Sequence, residues 1–258
     1  MSTRQRLLRG MDWTLVFRHE LVLSRSQSLW LIPSGALLAV LYQLSLRFGL
    51  SRHLASASAA WGYRSYAEFL TPGLVVMAVF NACFTDWIDG SYRKAHLNQF
   101  YEAILLTPLS ASSVVLGETV HLTLRGVLYA LGFLVASRVF GIHSNLVAMA
   151  LAVPLIGIVF ATVGVSIPIL VRSRDQLDVA RFCGVVMTMF SGVFYPVSVY
   201  PKLVCLIVKM FPFWQALNLV HSLDSGNLTG ALASGIYLLG LSASLMIIAV
   251  MTLMRSQA

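Results

Sequence analysis

Charge is scarce in this sequence: Asp, Glu, Lys and Arg make up 11% of its 258 residues, against 58% apolar. At a mean hydropathy of +0.80, a soluble fold of this size would leave far too much apolar surface facing water, so the bilayer is the main solvent. Cysteine is nearly absent too. Cys83, Cys183 and Cys205 are too few and too scattered for a disulfide framework or a metal cluster, and they read as small packing residues. A phosphate-cradling loop closed by Lys-Ser or Lys-Thr is missing, which excludes ATP binding in the usual way. His19-Glu20 opens a zinc-protease pattern, but the second histidine position holds Leu23. Gly164-Val165-Ser166-Ile167-Pro168 lacks the closing glycine of a nucleophile elbow. With no complete catalytic constellation, the chain is expected to be no enzyme and to bind no metal or cofactor itself. Its energy must come from a partner or an ion gradient.

What is present is apolar and long. Six stretches stand out, at about 29 to 48, 69 to 88, 115 to 137, 146 to 170, 180 to 200 and 229 to 254, each near the roughly 20 residues that cross a hydrocarbon core. In lipid every backbone polar group must be satisfied internally, so these are helices. The expected fold is an all-α membrane protein with six transmembrane helices. A signal peptide is not expected, because the basic leader is too long and the first run exceeds an h-region. Phe211 to Leu223, opened by Pro212 and preceded by a short apolar piece between Lys202 and Lys209, is too short to cross. It reads as a re-entrant or surface-lying hairpin between helices 5 and 6.

Positive flanks stay cytoplasmic. With the N-terminus inside, the inner side holds Arg4, Arg6, Arg9, Arg18 and Arg25, then Arg93, Lys94, Arg172, Arg174, Arg181 and Arg255. The outer side holds Arg47, Arg52, Arg64, Arg138, Lys202 and Lys209, so both termini are expected in the cytoplasm. The net charge of +8 suits anionic lipid headgroups and calls for no nucleic acid. Residues 1 to 28 form a cytoplasmic N-terminus in which Trp13, Phe17 and Leu21, with Val16, recur at helical spacing, as in an interfacial helix. Residues 29 to 258 form one transmembrane domain.

Between helices 2 and 3 lies a short amphipathic segment, Asn98 to Ser110, ended where Thr107 precedes Pro108. Two readings stand: a docking helix offering Tyr101, Ile104 and Leu105 to a partner groove, or a loop helix tucked against its own bundle. Glu118, His121 and Arg125, spaced by three and four, share one face of helix 3. Ionisable groups there face a bundle interior or water, either as a coupling switch or as an internal ion pair; a proton relay is the third option. Gly157 and Ala161 have small-xxx-small spacing. Asp175 and Asp178 with the nearby arginines suit a solvated inner loop that starts a helix. Phe194, Tyr195, Pro196 and Tyr200 gather at the broken outer end of helix 5, as an interface belt or an outer gate.

The run Tyr101-Glu102-Ala103-Ile104-Leu105-Leu106-Thr107-Pro108-Leu109-Ser110, followed by Val115-Leu116-Gly117-Glu118, resembles the cytoplasmic segment of type-2 ABC exporter permeases. Phe69-Leu70-Thr71-Pro72-Gly73-Leu74, Ser191-Gly192-Val193-Phe194-Tyr195-Pro196-Val197 and Phe211-Pro212 look like the same family and lie in the same order. The wording around Glu102 and Gly117-Glu118 is most similar to the branch of nodulation lipo-oligosaccharide and daunorubicin-type drug exporters. His221 stands where many relatives carry Arg. The resemblance implies a permease subunit in a bacterial cytoplasmic (inner) membrane, paired with a second permease copy. It also implies nucleotide-binding ATPase subunits that carry ATP and Mg and dock on a cytoplasmic coupling helix around Tyr101, Glu102, Ile104, Leu105, Thr107 and Pro108. The cargo would be amphipathic: lipid-like, a glycolipid or a drug. The alternative is an ion-gradient-driven secondary transporter or channel, supported by the Glu118, His121, Arg125 face.

Overall fold

The computed structural model describes residues 13–22, 25–45, 66–97, 100–106, 109–140 and 145–255. Among these, regular structure is entirely helical. Helix α1 covers residues 13–22, and α2 runs Arg25–Ser45 with Pro33 inside. Helix α3 (Tyr66–Phe80) continues through a π turn at Asn81–Thr85 into α4 (Ile88–Tyr92) and a second π turn at Arg93–Leu97. Then come α5 (Phe100–Leu105), α6 (Ala111–Val139), α7 (Leu146–Leu170), α8 (Arg174–Phe190), a 3₁₀ turn at Val197–Val199, α9 (Lys202–Lys209), α10 (Pro212–Asp224) and α11 (Leu228–Arg255).

Local chemistry starts several of these helices. Ser110 Oγ accepts from the Ser113 amide, Asn145 Oδ1 from Ala148 and Ser173 Oγ from Gln176, so three helix N-termini gain a partner for an otherwise orphaned donor. Asp175 in the first turn of α8 also suits the positive end of its dipole. Pro212 opens α10 at a position where a missing N–H costs nothing.

Among the described residues, four helices are long and apolar enough to cross a membrane: Glu68–Leu97, Ala111–Val139, Val147–Leu170 and Leu228–Arg255. The pair α9 and α10, bent by 85°, makes a fifth if it counts as one span. The stretch expected over 180 to 200 is interrupted. Helix α8 has 17 residues and stops at Phe190, where Gly192 takes φ +86°, a left-handed conformation that glycine adopts without strain. Pro196 and Pro201 then keep the chain from resuming the helix at once.

The span containing α3 is 78% buried in its most apolar window, whereas that of α11 is only 22% buried, so the former is the central post and the latter exposes most of its surface. Phe80, Phe160 and Phe213 meet edge-on or tilted, with ring centroids 5.1 to 5.7 Å apart, joining α3, α7 and α10. Glycine lets helix backbones touch. A Cβ at Gly35 would collide with the Tyr129 carbonyl, and one at Gly164 with that of Cys83, so α2 meets α6 and α7 meets the first π turn without side chains between them.

Candidate coupling site

The site starts where α1 lies against the first turns of α6. A Cβ on Gly117 would come within 2.7 Å of Val16 Cβ and 2.9 Å of the Trp13 carbonyl, so only glycine lets the two helices pack this closely. The line from Val16 to Glu20 faces inward; both are essentially fully buried. Trp13, Phe17 and Leu21 flank that line, Trp13 remaining exposed and the other two half-buried. His19 stacks on Phe100 of α5 at 5.3 Å.

Glu20 therefore enters the bundle instead of the lipid interface. Lys94, in the second π turn, donates from Nζ to Glu20 Oε2 at 2.6 Å and to Glu118 Oε1 at 2.9 Å. Tyr101 of α5 donates its hydroxyl to the other Glu118 oxygen. One ammonium and one phenol thus join α1, the end of the long central span, the loop helix α5 and the start of α6. Burying an ion costs several kcal/mol unless it is paired and hydrogen-bonded. Here the ammonium and both carboxylates have partners, and Lys94 also lies over the Trp87 ring at 4.7 Å. Burial, then the neighbouring Glu118 carboxylate, pushes the Tyr101 phenol well above its ordinary pKa, which keeps it a donor.

A second polar layer sits deeper along α6. Arg125 reaches Asp86 at 3.7 Å and lies over the same Trp87 ring as Lys94, at 5.5 Å. His121, 4% exposed, packs its ring near Trp87 and Phe17 at 5.4 and 6.5 Å. The first π turn prepares this contact: Asp86 N–H bonds back five residues to Asn81, displacing Asp86 and Trp87 from a regular helical register. Glu118, His121 and Arg125 do share one face, yet Glu118 and Arg125 do not pair with each other; each finds its partner on the central span.

Other expected residues are distributed as follows. Tyr101 is 2% exposed, so its side chain is turned into the bundle and is not free to enter a partner groove; the charge it satisfies there is the reason. Ile104 is half-buried against the core. The side chains of Glu102 and Leu105, and Thr107 and Pro108 altogether, lie outside the described residues, as do Arg4, Arg6 and Arg9. Arg181 ties α8 to α4 through Asp89 at 2.7 Å and touches Asp178 at 3.4 Å, at a half-exposed surface where such pairs contribute little. At the far end of the bundle, Tyr200 donates to the Tyr195 hydroxyl at 2.7 Å, Tyr66 donates to the Phe194 carbonyl at 2.9 Å, and Pro196 caps the 3₁₀ turn. Phe69 and Lys94, 25 residues apart on the central span, are separated by roughly 35 Å at helical rise. The aromatic group and the charge cluster therefore occupy opposite ends.

Glu20 and Lys94 were not anticipated as site residues. Glu20 carried a signal, since it lies four residues beyond Val16 and seven beyond Trp13 on the same helical face. Lys94 carried none.

The family description "ABC-2 type transporter" matches residues 13–224. Nodulation protein J of Rhizobium leguminosarum bv. viciae is 23% identical over 216 residues, 82% of either chain. Nodulation protein J of Rhizobium meliloti (strain 1021) is 22% identical over 222 residues, covering 84% of this chain and 83% of that one. The inner membrane transport permease YadH of Escherichia coli (strain K12) is 26% identical over 160 residues, 60% of this chain and 57% of its own. No solved structure matches the chain. The match over most of the sequence and the apolar helices agree: this chain belongs to the ABC-2 type transporter family and is a multi-pass membrane permease.

Proposed function

We propose that this chain is the transmembrane subunit of an ATP-driven exporter in a bacterial cytoplasmic membrane. Six spans would leave both termini inside, with α1 on the inner leaflet, α5 as the docking helix and α9 with α10 as a re-entrant hairpin at the outer face. ATP and Mg would bind a separate nucleotide-binding subunit, and two permease copies would frame the passage for an amphipathic cargo.

The single observation that supports this reading most is the buried cluster of Glu20, Lys94, Tyr101 and Glu118. A push on α5 would pass through Tyr101 to Glu118 and so to α6, while Lys94 would carry it to α1 and the central span. Elements locked by paired buried charges move together, because separating them strands an ion in the apolar interior. Docking would fall to α5 around Glu102, Ile104 and Leu105, with Tyr101 holding that helix in place. Phe194, Tyr195, Pro196 and Tyr200 form the outer gate.

The test is reconstitution with the ATPase subunit and a fluorescent amphiphile. The expected result is export that requires ATP and is lost in Leu105→Asp with insertion unchanged. ATP-independent export by the permease alone would overturn it. A second reading, an ion-gradient carrier, is favoured only by the layer of His121 and Arg125, packed in the bundle and joined to the exposed Asp86. Cargo movement under a proton gradient in vesicles without ATP would select it.

A further inference from the structure

At the end of the bundle remote from the charge cluster, a cavity of about 460 Å³ opens between the start of α3, the 3₁₀ turn, α9 and α10. Its volume is in the range of small-ligand sites. Its polar wall is built by Ser198, Lys209, Asn218 and His221, with Trp214 as a flat aromatic side. Trp214, Asn218 and His221 are spaced by four and three, so one face of α10 supplies all three. The Asn218 amide donates to Ser234 Oγ at 2.8 Å, which holds it in place. Lys209 lies 5.9 Å from the Trp214 ring.

The charge of this cavity has one sign. Lys209 supplies an ammonium, His221 a second nitrogen donor, and among the described residues the lining contains no carboxylate; Asp224, three residues beyond His221, is exposed past the end of the wall. An anionic group bearing hydroxyls fits that set of donors. The mouth indicates what the anion is attached to. Helix α9 presents Lys209 and Cys205 to the cavity and turns Leu203, Leu206 and Ile207 outward, with Met210 just past its end, at 49 to 72% exposure. A largely apolar pocket with one wall of donors, whose rim is an exposed apolar helix face, suits a molecule with a charged head and a hydrocarbon tail.

We infer that the cavity lined by Lys209, Trp214, Asn218 and His221 binds the anionic headgroup of an amphiphile whose tail lies along the outer face of α9. The headgroup belongs either to an anionic membrane lipid or to an anionic glycolipid cargo, and both offer the same chemistry to these residues. The inference deepens the proposed export role and rests on it for the cargo alternative. Its test uses no nucleotide and no ATPase subunit, so the two readings fail separately.

The protein carries its own reporter, because Cys205 lines the cavity, Cys83 is buried and Cys183 is exposed. In full-length Cys183→Ser protein, maleimide labelling of Cys205 is followed with dioctanoyl phosphatidylglycerol, a short-chain anionic glycolipid, or uncharged dioctanoylglycerol. The expected result is labelling slowed about tenfold by an anionic amphiphile and unchanged by dioctanoylglycerol, with protection lost in Lys209→Gln and restored in Lys209→Arg. The anion that protects at the lower concentration names the source. Lys209 is exposed, so its replacement leaves the fold intact, and native mass spectrometry counts the bound amphiphile in a second measurement. Equal protection by dioctanoylglycerol, protection that persists in Lys209→Gln, or no bound anion in either measurement would overturn the inference.

Discussion

Lys94 Nζ stands 2.6 Å from Glu20 Oε2, across 74 residues of sequence, and the same ammonium lies 2.9 Å from Glu118 Oε1. Both carboxylate side chains are 1% exposed. The ammonium therefore keeps two negative charges tolerable in an apolar interior, and it joins an N-terminal helix to two spans.

Lys94→Met is expected to be the most destabilising single change in the cluster, by about 3–5 kcal/mol, because it strands both carboxylates. Glu20→Gln should cost clearly less, since Lys94 keeps Glu118. Thermal unfolding in detergent, read by tryptophan fluorescence, checks the order; an equal loss in the two variants would contradict it.

Tyr101→Phe removes the hydroxyl that donates to Glu118 but keeps the ring. A lost bond to a charged group costs about 1.5–3 kcal/mol. On the proposed export role, the reconstituted variant should still bind the ATPase subunit while export per ATP hydrolysed falls. Parallel pull-down and transport assays measure the two separately.

The same phenol sets a pH dependence. Burial and then Glu118 hold its folded pKa well above 10.0; above that pH the unfolded chain loses the proton and the folded one retains it. The folded state then binds more protons, so stability falls as pH rises beyond about 10. Lys94 lies in the same cluster, so the relevant quantity is the difference between wild type and Tyr101→Phe. That difference should shrink between pH 9 and pH 11 on the scale of ordinary phenol titration.

Gly117→Ala places a methyl group against Val16 and the Trp13 carbonyl. Helix α1 should be pushed off α6 and become sensitive to protease near Glu20. Adding Val16→Ala should restore protection only in part, since the Trp13 carbonyl, at 2.9 Å, belongs to the backbone and remains.

Gly192→Ala should cost about 1–2 kcal/mol for the left-handed backbone alone, with a further penalty because the new methyl would meet Val197 Cγ2 at 2.7 Å. The break between α8 and the 3₁₀ turn is where this is felt. A thermal shift without loss of membrane insertion is the expected outcome.

The helical class, the long spans at 69, 115, 146 and 229, the break at Pro212 and the common face of Glu118, His121 and Arg125 were all legible as local patterns. So was the family, from motifs spread between Phe69 and Pro212. The inward turn of Tyr101 was not. An amphipathic six-residue helix offers the same apolar stripe to its own bundle and to a partner, and the choice was made by Glu118, 17 residues away. Glu20 illustrates the same limit: in α1 it reads as a charge that interrupts an apolar face, until Lys94 arrives from another helix.

Composition and periodicity by themselves determined that this protein lives in a bilayer as helices, because hydropathy adds up residue by residue along the chain. Only the tertiary structure decided which charges pair, which aromatic rings lie over them and which apolar residues remain outside. Whether a buried ion is tolerated depends on the few atoms within about 3 Å of it, and in this fold those atoms come from helices far apart in sequence.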